Sequence, residues 1–157
     1  MSPTPADEVR RFDRVATQRL EDARFLLGHR NTAAIYLAGY AVECTLKALW
    51  LSRIAGAKSA RAKRGPRGSS RATKGKAKLV EVMEMFRGKK GHSLEWLKKR
   101  YLDEGGDPFP ASISQAFSRV NSWDTDLRYN PGTSTMKEAS RFLLAVENFM
   151  DWARGRF

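Results

Sequence analysis

Four residues in the apolar stretch AIYLAGYAVECTLKALW carry groups that could do chemistry: Tyr36, Tyr40, Glu43 and Lys47. Their spacing, i, i+4, i+7 and i+11, puts them on one line along a helix. They form a polar seam on an otherwise greasy rod, and Gly39, one turn before Glu43, leaves room beside it for a partner. Two readings of the seam stand. Glu43 and Lys47 are in the favourable order for an i,i+4 ion pair, which contributes about 0.2–0.5 kcal/mol on an exposed helix. Alternatively, a carboxylate on a central helix is costly to desolvate unless it is paired and hydrogen-bonded. The segment SWDTDLRYNPG supplies a partner in Arg128, whose guanidinium suits a two-point grip on a carboxylate. Arg128 folded over Glu43 would leave a cleft built by Glu43, Lys47, Arg128 and Tyr129, with Tyr36, Tyr40, His92 and Asp126 beside it. A phosphate-bearing ligand suits that mixture of arginine and lysine.

Other reactive residues are few. The chain has two histidines, His29 and His92, and one cysteine, Cys44. A disulfide within the chain is therefore impossible, and the ligands for a metal centre are too sparse. His29 follows a helix end, where a cation suits the dipole. His92 precedes a helix and either caps it or joins the cleft. No phosphate loop, nucleophile elbow or pair of catalytic carboxylates is present, so neither cofactor nor metal is expected. The single cysteine fits a cytoplasmic setting.

Charge is concentrated. The chain carries 29 Lys and Arg against 17 Asp and Glu, a net +12. Ten of those cations fall between Arg53 and Lys78, where no acid occurs. The run AGAKSARAKRGPRGSSRATKGKAK, residues 55–78, offers almost nothing to bury and is expected to be a mobile basic loop inside the domain. Lys63, Arg64, Arg67, Arg71, Lys74, Lys76 and Lys78 would give salt-sensitive, sequence-blind contacts to nucleic acid. The tract lacks interleaved aromatics for base stacking, so a solvated linker is the competing reading. It also lacks the apolar face of a membrane-surface segment.

The elements that must position these groups are helical. Thr4-Pro5-Ala6-Asp7 reads as a helix start rather than a leader, followed by Val9, Phe12, Ala16, Leu20, Ala23 and Leu27, with Gly28 as a stop. Asn31 is placed to cap a second helix over roughly 32–54. Its apolar stretch approaches membrane-spanning length, but Glu43 and Lys47 would each cost about 2.5–3.5 kcal/mol in a bilayer, so a buried helix of a soluble protein is expected. Leu79, Val82, Met83 and Phe86 mark a short helix, and Ser93 caps another carrying Leu94, Leu97 and Tyr101. Ile113, Ala116, Phe117 and Val120 form an amphipathic stripe. Thr135 and Glu138 make a capping box before Ala139, Phe142, Leu143, Val146, Phe149, Met150 and Ala153. The 157 residues thus predict one all-α domain, an antiparallel up-and-down bundle of four to five main helices.

Over residues 8–154 the chain resembles the HEPN domain family. The resemblance rests on RLEDARFLL, AAIYLAGYAVECTLKALW, GHSLEWL, WDTDLRY and EASRFLLAVENFMDW. The second-helix pattern, Tyr, small residues, then Ala-Val-Glu-Cys-x-Leu-Lys-Ala, is the most specific part. In GHSLEWL, Ser93 stands where relatives often have an acid. The resemblance implies an up-and-down bundle that pairs as a homodimer. It also implies either a ribonuclease of toxin–antitoxin or defence systems, or a non-catalytic nucleotide- or RNA-binding module with a nucleotidyltransferase or antitoxin partner. Such ribonucleases carry Arg, four to six residues, then His near the last helix. Arg128 matches the arginine by place, but Thr133, Ser134 and Thr135 stand where the histidine belongs. The usual acid–base group is missing, and a hydroxyl replaces it poorly near neutral pH. The expectation is therefore a binding module. The alternatives are an altered ribonuclease, in which His92 or Tyr129 moves the proton, and a protein-interaction scaffold.

Overall fold

The computed structural model describes residues 2–62, 70–123 and 132–157, with the backbone alone for 57–62 and 70–75. Among the described residues six α-helices follow in order: α1 Pro5–Leu26, α2 Asn31–Ala62, α3 Ser70–Arg87, α4 Leu94–Asp103, α5 Ala111–Val120 and α6 Met136–Arg154. A 3-10 turn, Lys89–His92, sits between α3 and α4. No strand occurs among the described residues, so the all-α expectation is met.

Local chemistry sets the helix ends. The Thr4 hydroxyl accepts from the Asp7 N–H at 3.2 Å, and the Asp7 carboxylate accepts from the Thr4 N–H at 2.9 Å. Thr135 and Glu138 repeat the device at α6, and the Ser93 hydroxyl caps α4 through the Trp96 N–H. Each such cap satisfies donors that the first helical turn leaves unpaired. After α1 the chain turns at Gly28, whose φ of +86° is easy only without a side chain. Asn31 does something other than cap α2. Its carbonyl oxygen accepts from the Gly28 N–H at 2.8 Å, and its amide donates to the Ser134 carbonyl at 3.3 Å. It thereby ties the α1–α2 turn to the chain entering α6.

α2 is the axis of the molecule. From Ala41 to Leu51 every residue is buried. Its closest packing is with α1, and alanines line both helices there: Ala16 and Ala23 on one, Ala34, Ala38 and Ala41 on the other. Small side chains let the helix axes approach. α6 and α4 also pack on α2, and α5 packs on α6. Aromatic edges lock the second layer. Phe109 lies 5.4 Å from Phe117 and 5.5 Å from Phe149, and Trp50 meets Phe86 at 5.3 Å and Trp96 at 5.6 Å. The apolar part of α2 has the length of a membrane span, yet 78% of it is buried within the fold.

The basic stretch differs from its expectation. Helix α2 continues past Ile54 to Ala62, and α3 begins at Ser70 rather than near Leu79. Alanine, arginine and lysine are strong helix formers. A helix already nucleated by a buried segment extends through them without needing a face to bury. Residues 63–69, with Lys63, Arg64 and Arg67, lie outside the described residues, as do the side chains of Arg71 and Lys74.

Packing around α2 predicts an asymmetric response to truncation. Leu46→Ala, at a fully buried position, is expected to cost about 2–5 kcal/mol in denaturant unfolding. Leu144→Ala, 57% exposed on α6, is expected to stay within about 0.5 kcal/mol of the parent.

Candidate functional site

The seam exists, but it is more deeply buried than an open cleft would be. Glu43 is 1% exposed. Its Oε1 accepts from the Lys47 ammonium at 2.6 Å and lies 3.2 Å from Nδ1 of His92. The i,i+4 spacing on α2 brings Lys47 there. The turn Lys89–His92 brings His92, and Gly91 makes that approach possible. A Cβ at Gly91 would overlap the carbonyl oxygens of Phe86 and Met85, so only glycine lets this turn press against the end of α3.

Lys47 does not face solvent. Its side chain is 7% exposed, and its ammonium lies 5.8 Å from the centre of the Phe12 ring and 5.2 Å from that of Phe86. Those two rings meet edge to face at 5.6 Å. The cation is thus held by a carboxylate and two aromatic faces, an arrangement that replaces part of the lost hydration. The group that reaches the surface is His92, whose side chain is 40% exposed. Glu43 Oε2 is buried and has no hydrogen-bond partner among the described residues.

One turn earlier, Gly39 has its partner, and it is Trp123. A Cβ at position 39 would overlap the indole. The Trp123 ring is buried, donates from Nε1 to the Tyr36 carbonyl at 3.0 Å, and lies 5.9 Å from Tyr36 and 6.1 Å from Tyr40. Trp123 was visible in the sequence only as part of an aromatic loop. The signal that marks its seat is a glycine amid the large residues of a central helix. Phe12 and Phe86 were readable as core but not as walls around Lys47. On the other side of residues 124–131, the Ser134 N–H donates to the Thr32 hydroxyl at 3.3 Å. The chain therefore touches α2 at Trp123 and again at Ser134. Asp126, Arg128 and Tyr129 lie outside the described residues.

The electrostatics follow from burial. Burial raises the Tyr40 hydroxyl above the ordinary tyrosine range, and the Glu43 charge adds to it. Burial, then Glu43, pushes the Cys44 thiol up to about 12, so it is an inert core group rather than a nucleophile. Among the described residues no three of His, Cys, Asp and Glu converge as a metal-ligand set. A groove of about 380 Å³ between α1 and α3 is lined by Glu8, Arg11, Leu79, Val80, Met83 and Arg87 among others; no seam residue lines it. Lys78, from the basic stretch, pairs with Glu104 at 2.9 Å, whereas Lys76 is exposed. His29 is exposed at the α1–α2 turn.

Compared with known proteins, the chain matches no family model, no curated protein and no solved structure.

Two outcomes test this geometry. Gly39→Ala is expected to cost about 1–3 kcal/mol by forcing the indole aside and to red-shift tryptophan emission. Adding Trp123→Ala should remove the clash, so the two changes combine non-additively. For the ion pair, Glu43→Ala is expected to cost about 3–5 kcal/mol, because it leaves a buried ammonium unmatched. Glu43→Leu combined with Lys47→Met should recover most of that loss in the same denaturant titration. Additive costs would show that the two charges are not coupled.

Proposed function

We propose that this chain is a HEPN-like RNA-binding module whose basic stretch grips the phosphate backbone and which acts in the cytoplasm with a nucleotidyltransferase or antitoxin partner. One observation carries the reading. Ten Lys and Arg, with no acid among them, run from Arg53 to Lys78, and both described parts of that stretch are helical. A helix holds successive cations at a 1.5 Å rise, a dense linear array for a polyanion, and such an array binds by releasing condensed counterions.

In this reading the helices form the antiparallel up-and-down bundle of the family and the chain pairs as a homodimer. Arg128 lies over Glu43, with Asp126 and Tyr129 beside it. What supports that placement is the return of the chain to α2 on both sides of residues 124–131, together with the second oxygen of Glu43, which the described residues leave without a partner. Binding rather than cleavage is the reading because Thr133, Ser134 and Thr135 stand where a catalytic histidine belongs.

The test is fluorescence anisotropy with single-stranded RNA at 50 and 200 mM salt. The parent protein should lose at least tenfold in affinity across that range. Replacing Lys63, Arg64, Arg67, Arg71, Lys74, Lys76 and Lys78 together by Gln should weaken binding about a hundredfold at the lower salt and flatten the salt dependence. Unchanged binding by that variant overturns the reading.

A further inference from the structure

Glu43 does more than neutralise Lys47. An ionised carboxylate only accepts hydrogen bonds, so the contact from Oε1 to Nδ1 of His92 requires the ring proton to sit on Nδ1. Lys47, at 2.6 Å, supplies the counter-charge; the imidazole contact is an orienting hydrogen bond, not the neutralising one. In the neutral ring Nε2 then keeps its lone pair, and it makes no hydrogen bond among the described residues. The ring that carries it is 40% exposed. A buried carboxylate that fixes a histidine tautomer and presents the other nitrogen outward is a built acceptor. The anchoring is stiff on both sides. Glu43 sits on the fully buried part of α2, and Gly91 is wedged against the α3 carbonyls.

The groups around the ring suit a nucleic-acid strand. Lys89 and Lys90 share its 3-10 turn, are exposed, and take part in no ion pair among the described residues. Cations in that position contact phosphates, which sets the ring at the level of the sugars. The sugar group that donates a hydrogen bond in RNA and is missing in DNA is the 2′-hydroxyl.

We propose that Nε2 of His92 accepts a hydrogen bond from a ribose 2′-hydroxyl and so gives the site a preference for single-stranded RNA over single-stranded DNA, with Glu43 as the positioning residue. The proposal rests on the RNA-binding reading and adds to it a discriminating contact. That contact lies at the far end of α3 from the basic stretch. The nine residues of α3 after Lys78 put the near end of that stretch about 14 Å away and its far part further, so the strand used to test it must be long enough to reach both.

The experiment compares RNA and DNA of one sequence, about 16 nucleotides of A and C only, so that the 2′-hydroxyl is the sole difference. Fluorescence anisotropy should show RNA bound about five- to tenfold more tightly, the size of one net hydrogen bond. His92→Phe should bring the two affinities together by weakening RNA alone, and Glu43→Gln should shrink the gap. The seven-residue Gln variant of the basic stretch should weaken both strands and keep their ratio. In ¹⁵N NMR, His92 should carry its proton on Nδ1 in the parent protein. Equal RNA and DNA affinities, or a ring protonated on Nε2, overturn the inference while leaving RNA binding standing. Failure to bind either strand at low salt overturns both.

Discussion

A single carboxylate organises the interior. Glu43 lies on the most buried helix of the molecule, where an ionised group without partners would cost several kcal/mol. The fold meets that cost from several directions. Lys47 comes from the next turn of α2, Phe12 from α1 and Phe86 from α3 enclose the ammonium, and His92 arrives from the turn before α4. Lys47 and His92 thus meet Glu43 directly, and Phe12 and Phe86 join the cluster through Lys47. An apolar residue of similar size at position 43 would fill the space but would give none of them a reason to align in this register. The pair thus acts as a specification of how α1, α3 and the 3-10 turn sit on α2, and the surrounding apolar packing supplies the stability.

The second constraint is steric. Gly39 and Trp123 are complementary in size: the smallest residue on α2 receives the largest side chain of the chain after α5. The indole N–H finds the Tyr36 carbonyl, so burial of the ring leaves no donor unpaired. Tyr36 and Tyr40 border the ring. The Gly39–Trp123 seat and the Glu43–His92 contact lie one turn apart on α2. The aromatic group and the polar group are therefore positioned by the same rigid element.

Much of this was legible in the sequence, and the limits are physical ones. Helical periodicity placed α1, α5 and α6, and caps with a known hydrogen-bond logic, Thr4 with Asp7 and Thr135 with Glu138, marked starts. The line of Tyr36, Tyr40, Glu43 and Lys47 followed from the helical repeat alone. Its surroundings did not, because periodicity says which residues share a face and nothing about which distant element covers it. Hence the space beside Gly39 was readable while its occupant, Trp123, was not. Lys47 looked available to a ligand, yet its ammonium is shut between two rings contributed by other helices. The ends of α2 and α3 were misplaced for a different reason. A segment with nothing to bury was expected to remain irregular, but intrinsic propensity extends a helix that burial has already started.

The basic stretch shows how helix polarity and charge combine. The sequence positions of Lys58 and Arg61 lie near the C-terminal end of α2, where the macrodipole favours cations. At the start of α3 the situation reverses: no acid lies in its first turn, and Arg71 and Lys74 fall within five residues of its start. Cations near the positive end of a helix are disfavoured, and like charges one turn apart add to that cost. Nothing within the run offsets it, since no carboxylate occurs between Arg53 and Lys78. At the inner end Lys78 reaches Glu104 beyond the end of α4. An anion lying along the stretch would relieve the repulsion and the dipole mismatch together.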